Sequence, residues 1–144
     1  MDPQTFISEK HLSFVSGSVD SAPFWGGGDS FEEFTYELFV NAGASGPTQK
    51  QIDAYESFYA GLSESFKSLE AAIRDWLREN DPAEADKFQH KFPKVVFVTI
   101  GGNLDNYEIM VTMELSRGVL FFGKSYGFHV KLRDNSIMEI EVFG

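Results

Sequence analysis

The sequence contains no cysteine, which excludes disulfide bonds and thiolate chemistry. It has no apolar run long enough to span a bilayer, and residues 1 to 10 lack the basic and then apolar order of a signal peptide. We therefore expect a cytoplasmic protein that has no membrane partner.

Basic residues are scarce: 12 Lys and Arg stand against 22 Asp and Glu, which gives a formal net charge of -10. A surface that binds phosphates needs clustered Lys and Arg, so the composition argues against a nucleic-acid partner. An acidic surface favours a basic protein as partner. The alternative is that the negative charge only maintains solubility.

Apolar residues recur with helical spacing between residues 48 and 80. Eight of them, separated by steps of three and four, share one helical face; they are Ile52, Tyr55, Tyr59, Leu62, Phe66, Leu69, Ile73 and Trp76. Thr48 and Gln51 have the spacing of a capping box at the start. A coiled coil is the alternative, but it would require aliphatic residues along this face. The aromatic residues found there favour packing of the helix against a sheet.

The length of this helix predicts an interruption. An unbroken helix over residues 48 to 80 would be about 48 Å long, whereas a globule of this size has a radius of gyration of about 15 Å. We expect the break near Gly61, where Gly61, Ser63 and Ser65 together lower helix propensity. Asp81 and Pro82 then predict a second, short helix.

Strand patterns flank the helices on both sides. The alternating or β-branched runs are residues 12–15, 33–40, 94–100, 107–115, 119–122, 126–132 and 137–143. Short turns between the later runs predict an antiparallel meander. Gly26 to Gly28, followed by Asp29 and Ser30, is typical of a turn. A phosphate loop is the alternative, but it would need a strand before it and a helix after it.

Together these patterns predict a single α+β domain over residues 1–144. We expect an antiparallel sheet of about five or six strands packed on one long, interrupted helix. Residues 1 to 10 are polar, and we expect them to be flexible.

The sequence holds no recognisable catalytic or metal-binding motif. His11, His90 and His129 lie in different elements without ligand spacing. Glu139 and Glu141 share one strand face, where paired carboxylates for metal or acid–base chemistry and a merely solvated surface are the alternatives. We assign no catalytic residue, no metal ligand and no cofactor.

A candidate partner-binding patch lies around the strand of residues 33–40. Phe39 alternates onto the polar face of this strand together with Glu33 and Glu37. With Asp29, these residues combine an aromatic anchor with a charged rim, as interaction sites do. The alternative is that the Phe24-Trp25 segment folds back over Phe39 and makes it part of the core.

The aromatic content suggests a function of a different class. Trp25, Tyr55, Tyr59 and Trp76 could line a pocket between helix and sheet, as in a small-ligand-binding or enzymatic domain. The alternative is that these rings only fill the core.

Three stretches resemble a group of small bacterial domains of unknown function. They are Pro23-Phe24-Trp25-Gly26, then Gly46-Pro47-Thr48 with Gln51-Ile52 and Ala54-Tyr55, and the closing hairpin from Gly127 to Glu141. Similar domains often carry an acidic residue and a histidine just before the closing glycine, where this chain has Ser125 and Tyr126. Some of them resemble immunity partners of bacterial toxins. The resemblance therefore implies a protein-interaction module of immunity-like or regulatory kind, with the ligand-binding or enzymatic domain as the alternative.

Overall fold

The computed structural model describes residues 1–103, 105–116 and 125–143. Within these ranges the helices are Pro3–Glu9 (α1), Gln49–Ala60 (α2), Leu62–Asn80 (α3) and Pro82–Ala85 (α4), followed by a 3-10 turn at Asp86–Phe88. The strands of the same ranges are Ser13–Val15 (β1), Phe24–Phe31 (β2), Phe34–Val40 (β3), Lys94–Ile100 (β4), Ile109–Ser116 (β5), Ser125–Arg133 (β6) and Ser136–Phe143 (β7). The strand predicted for residues 119–122 lies outside the described residues.

The strands described here form one seven-stranded sheet in the order of the sequence. Neighbours pair antiparallel except β3 and β4, which are parallel. The predicted α+β class is confirmed, but the sheet has more strands than expected. The prediction of an entirely antiparallel sheet is wrong at the β3–β4 step, because the helices between these strands carry the chain back before β4 begins.

The predicted long helix is two helices, α2 and α3. Thr48 caps α2: its Oγ1 accepts a hydrogen bond from Gln51 N at 3.2 Å, and its own N–H donates to Gln51 Oε1 at 3.0 Å. The interruption falls at Gly61, which lies between the end of α2 and the start of α3. The backbone stays hydrogen-bonded across it, since Ser65 N donates to the Gly61 carbonyl at 2.9 Å.

The helices pack on one face of the sheet. Phe66 of α3 lies 5.3 Å from Phe34 of β3, ring centre to ring centre. Similar ring contacts join Trp76 of α3 to Phe128 of β6, Phe88 of the 3-10 turn to Tyr126 of β6, and Phe6 of α1 to Tyr55 of α2. Buried strand residues of this helix-covered face include Tyr36, Leu38, Val40, Val98, Ile100, Val111, Phe128, Val130 and Leu132. The residues that alternate with them, such as Glu37 and Phe39, form the open face, on which none of the described helices packs.

The N-terminal segment, for which the sequence predicts flexibility, contains a capped helix, α1. Asp2 caps α1, because its Oδ1 accepts a hydrogen bond from Thr5 N at 2.8 Å, and this bond lowers the pKa of the Asp2 carboxyl. Phe6 is fully buried and meets the ring of Tyr55 edge-on at 5.8 Å. One large apolar side chain therefore anchors this segment, which is too short for a helical period to be recognised in its sequence.

The predicted turn at Gly26 to Gly28 is wrong, since these glycines lie inside β2 and pair with β3. The chain leaving α1 crosses directly over them. A Cβ on Gly27 would lie 2.2 Å from the carbonyl oxygen of Lys10, and Gly28 N donates to that oxygen at 3.1 Å. Glycine is needed here for a close backbone approach within a strand.

The burial of Phe6 gives a test of the N-terminal helix. Phe6→Ala should lower the free energy of unfolding by about 3 to 5 kcal/mol, because it removes a fully buried ring. Urea denaturation followed by circular dichroism measures this change. Gln4→Ala, an exposed position on the same helix, should change it by less than about 0.5 kcal/mol. An unchanged stability for Phe6→Ala would mean that the segment is flexible after all.

Candidate functional site

Cross-strand neighbours share a face of the sheet, so the register shows which side chains meet on the open face. One row runs from β3 to β7 through Glu37, Phe97, Thr112, His129 and Glu141. A second row contains Phe39, Thr99, Met110, Lys131 and Glu139. The open face is therefore a mixture of aromatic, acidic and small polar side chains.

Three phenylalanines form a cluster on β2, β3 and β4. The ring of Phe39 lies 5.6 Å from that of Phe24 and 5.7 Å from that of Phe97. Phe24 thus packs against Phe39, as in the alternative in which the Phe24-Trp25 segment folds back over this ring. Trp25 points to the opposite face, since it is the register neighbour of Val40. Phe39 is only half-buried, so the cluster stays partly accessible.

A β-bulge directs Phe97 onto the open face. The pairing of β4 with β5 shifts between Val95 and Phe97, because Val96 is an extra residue on β4. Val95 consequently faces the core and is 5% exposed, while Phe97, two residues later, faces the other side. Without a bulge, regular alternation along Val95, Val96 and Phe97 would place Val95 and Phe97 on the same face.

An apolar groove extends from Phe97 on β4 to Phe143 on β7. It has a volume of about 310 Å³, and Thr112 and Gly127 form part of its floor. The ring of Phe143 lies against Gly127, where a Cβ would come within 2.4 Å of it. Phe143 also stacks on His129 at 4.3 Å.

The floor of the groove is held by hydrogen bonding. Thr112 is 3% exposed, and its hydroxyl is 2.8 Å from Nδ1 of His129. This contact satisfies a polar group that would otherwise be costly to bury. It also fixes the imidazole that supports the ring of Phe143.

Acidic side chains border the groove. Glu37 is the register neighbour of Phe97, and Glu114 lines the groove itself. Both are exposed, and Glu114 accepts a hydrogen bond from Ser116 Oγ at 2.7 Å. One lysine, Lys94, is the register neighbour of Glu114. An apolar groove with carboxylates at its margin suits an apolar side chain flanked by positive charge.

The structure divides the four residues of the predicted partner-binding patch. Glu37 and Phe39 lie on the open face, and Glu33 lies in the turn between β2 and β3. Asp29 is the register neighbour of Tyr36 and therefore lies on the helix-covered face. The patch does not assemble as predicted, because Asp29 belongs to a strand rather than to a turn.

Asp29 belongs instead to a polar cluster beneath α2. Its Oδ2 accepts hydrogen bonds from Tyr55 Oη at 2.5 Å and forms an ion pair with Lys10 Nζ at 3.0 Å. The hydroxyls of Tyr36 and Tyr55 are 2.7 Å apart. Burial raises the pKa of both hydroxyls above the ordinary tyrosine value, so they stay protonated and can donate.

The four rings of the predicted pocket do not surround a common cavity. Tyr55 and Tyr59 lie together, with centroids 6.1 Å apart. Trp25 is separate, and its Nε1 donates to the carbonyl of Gly43 at 2.8 Å. Trp76 packs on the rings of β6. These aromatic residues fill different parts of the molecule.

Sequence analysis missed the groove, since it assigned no role to Phe97, Thr112, Gly127 or Phe143. One available signal was Gly127, because a glycine within an otherwise bulky strand often marks the close approach of another group. The bulge at Val96 could not be detected from alternation. It interrupts the period of two within a run that is apolar at nearly every position.

No protein-family model matches this chain, and no curated protein or solved structure is significantly similar to it. Among the residues that the structure describes, no helix is long and apolar enough to cross a membrane. In the same ranges no group of three or more His, Asp or Glu side chains is arranged to hold a metal ion.

The polar cluster predicts a loss of stability at high pH. In the unfolded chain both hydroxyls ionise near a pKa of about 10, whereas the folded chain keeps them protonated. The stabilisation is therefore complete below this pH and declines as the pH rises above it. Urea denaturation at a series of pH values should show this decline, and Tyr36→Phe/Tyr55→Phe should flatten it.

Phe58→Leu serves as the control for this experiment. Phe58 is a buried residue of α2 that carries no hydroxyl, so its replacement should lower stability without altering the pH dependence. If the double phenylalanine variant kept the wild-type decline, the tyrosine pair would not be its source.

Proposed function

We propose that this protein is a protein-interaction module, of immunity-like or regulatory kind, that binds a basic protein through the open face. The observation that supports this proposal is the apolar groove between Phe97 and Phe143, bordered by Glu37 and Glu114. The absence of cysteine is compatible with a reducing compartment, and we place the proposed activity in the cytoplasm.

The groove would supply the anchor of such an interaction. Its volume of about 310 Å³ accommodates a large apolar side chain, and interfaces commonly concentrate their affinity in a few such buried anchors. The walls are aromatic and the floor is hydrogen-bonded within the sheet, so little reorganisation is needed when a side chain enters.

The acidic border would contribute mainly to rate and specificity. Carboxylates around an apolar anchor attract a basic partner during encounter and disfavour an acidic one. The net charge of the whole chain, -10, acts in the same direction over longer distances. A partner that fits carries a basic surface from which one apolar side chain projects.

Charge reversal at the groove tests this proposal. The protein is immobilised and exposed to extract of its own host at low salt, in three forms: wild type, Glu37→Lys/Glu114→Lys, and the control Glu64→Lys/Glu79→Lys. The control changes the net charge equally, but at exposed positions of α3. We expect a basic protein that is retained by the wild type and the control and lost by the groove variant. If the wild type and the groove variant retain the same proteins, the groove is not the binding site.

Removal of an aromatic wall tests the anchor itself. Phe97→Ala should weaken binding of the captured partner by about tenfold or more, while the free energy of unfolding falls by about 1 to 2 kcal/mol because the ring is only half-buried. Titration calorimetry and urea denaturation measure the two effects. Phe14→Ala, at an aromatic residue of β1 that is 38% exposed and packs on Trp25 on the other side of the sheet, is the control and should keep wild-type affinity. Unchanged affinity for Phe97→Ala would contradict an anchoring role.

A further inference from the structure

The last strand, β7, lies at one edge of the sheet that the described residues form. It pairs with β6 on one side, and no other strand of the described ranges pairs with it. The opposite edge of the sheet is β1, which has only 3 residues, whereas β7 has 8. A long exposed edge presents a row of free N–H and C=O groups, to which another extended segment can hydrogen-bond.

The side chains of β7 are divided between the two faces. Glu139, Glu141 and Phe143 lie on the open face, as their register with β6 shows. Ile140 and Val142 lie on the helix-covered face, where they are partly buried at the margin of the core. Any strand added beside β7 would continue this alternation, with one side chain next to the carboxylates and the next one beside the core.

Lys131 of β6 already shows what the carboxylates of β7 bind. Its Nζ lies 3.4 Å from Glu139 Oε2 and 3.0 Å from Glu141 Oε1. One ammonium group thus serves two carboxylates, which leaves an excess negative charge on this edge. Both glutamates remain about half exposed, at 56% and 49%, so their outer sides are accessible to a second cation.

We propose that β7 accepts an added strand from a basic partner: an extended segment with Lys or Arg at alternate positions and apolar residues between them. The basic side chains lie next to Glu139 and Glu141, and the apolar ones extend the core beside Ile140 and Val142. Main-chain hydrogen bonds supply affinity in this mode of recognition, and the alternating side chains supply specificity. Phe143 belongs both to this strand and to the groove, but Glu139, Glu141, Ile140 and Val142 do not line the groove, so the inference goes beyond the function proposed above.

A second copy of this chain fits the edge poorly. Pairing β7 with β7 would bring the glutamates of the two copies face to face on the open side of a joined sheet. Like charges on directly opposed strands are destabilising, and each chain carries a net charge of -10. A basic segment from a different protein removes this repulsion.

Short peptides of defined pattern test the proposal. A fluorescent peptide that alternates valine and lysine should bind the full protein, as measured by anisotropy, and should slow amide hydrogen exchange at residues 137–143. The same peptide with glutamate in place of lysine should not bind. Nor should a version with proline at both its central valine and the neighbouring lysine, since the N–H groups of successive residues point to opposite sides of a strand and one of the two would face β7.

Variants of the protein locate the binding. Glu139→Lys/Glu141→Lys should lower the affinity for the lysine peptide by about tenfold. Glu139→Gln/Glu141→Gln should lower this affinity by a smaller factor. Glu64→Lys/Glu79→Lys, with the same change in net charge, and Phe97→Ala, in the groove, should leave the affinity unchanged. A result that contradicts binding at the edge therefore leaves the proposal for the groove untouched, and the reverse also holds.

Three outcomes would overturn the inference. The first is equal affinity of the wild type and the Glu139/Glu141 variants for the lysine peptide. The second is binding of the proline or glutamate peptide as tight as that of the lysine peptide. The third is a dimer of this chain in sedimentation that slows exchange at residues 137–143, because the edge would then be occupied by a second copy.

Discussion

The parallel pairing of β3 with β4 is the constraint on which the rest of the architecture depends. Every other step of the sheet joins neighbours that run in opposite directions. Parallel neighbours need a long crossover connection, and here residues 41 to 93 provide it with α2, α3 and α4. A crossover of this kind lies on one side of its sheet. One face is therefore covered by helices, and the other is left to present its side chains.

The helix-covered face holds more than apolar side chains. Under α2, Tyr55 joins Tyr36 and Asp29, and Lys10 compensates the carboxylate. Apolar contacts alone would permit α2 to slide over the sheet, whereas these directional bonds specify one position. Each group depends on the others, because loss of one partner leaves buried polar atoms unsatisfied. The cluster thus connects the N-terminal segment, the β2–β3 hairpin and the first crossover helix.

Local signals in the sequence predicted the positions of helices and strands well. They predicted contacts between segments that are distant in the chain poorly. The capping box at Thr48, the break at Gly61 and most strands depend on neighbouring residues, which the sequence shows directly. The burial of Phe6 and the glycines of β2 depend on close approaches between segments distant in the chain. For the candidate site the outcome was similar. Phe39 and Glu37 were placed on the correct face by alternation, but Asp29 was not, because its face follows from strand pairing rather than from its immediate neighbours.

The extra residue in β4 has a consequence for how such a surface could arise. Val96 turns the second half of the strand by one position relative to the first, so the core keeps Val95 while the exterior gains Phe97. The aromatic wall of the groove therefore depends on the position of the bulge as much as on amino-acid type. A bulge placed after Phe97 instead of before it would leave this ring opposite Val111 in the core, and neighbouring strands need not change their composition. Related surfaces could thus appear or vanish between otherwise similar sheets when a bulge moves along its strand.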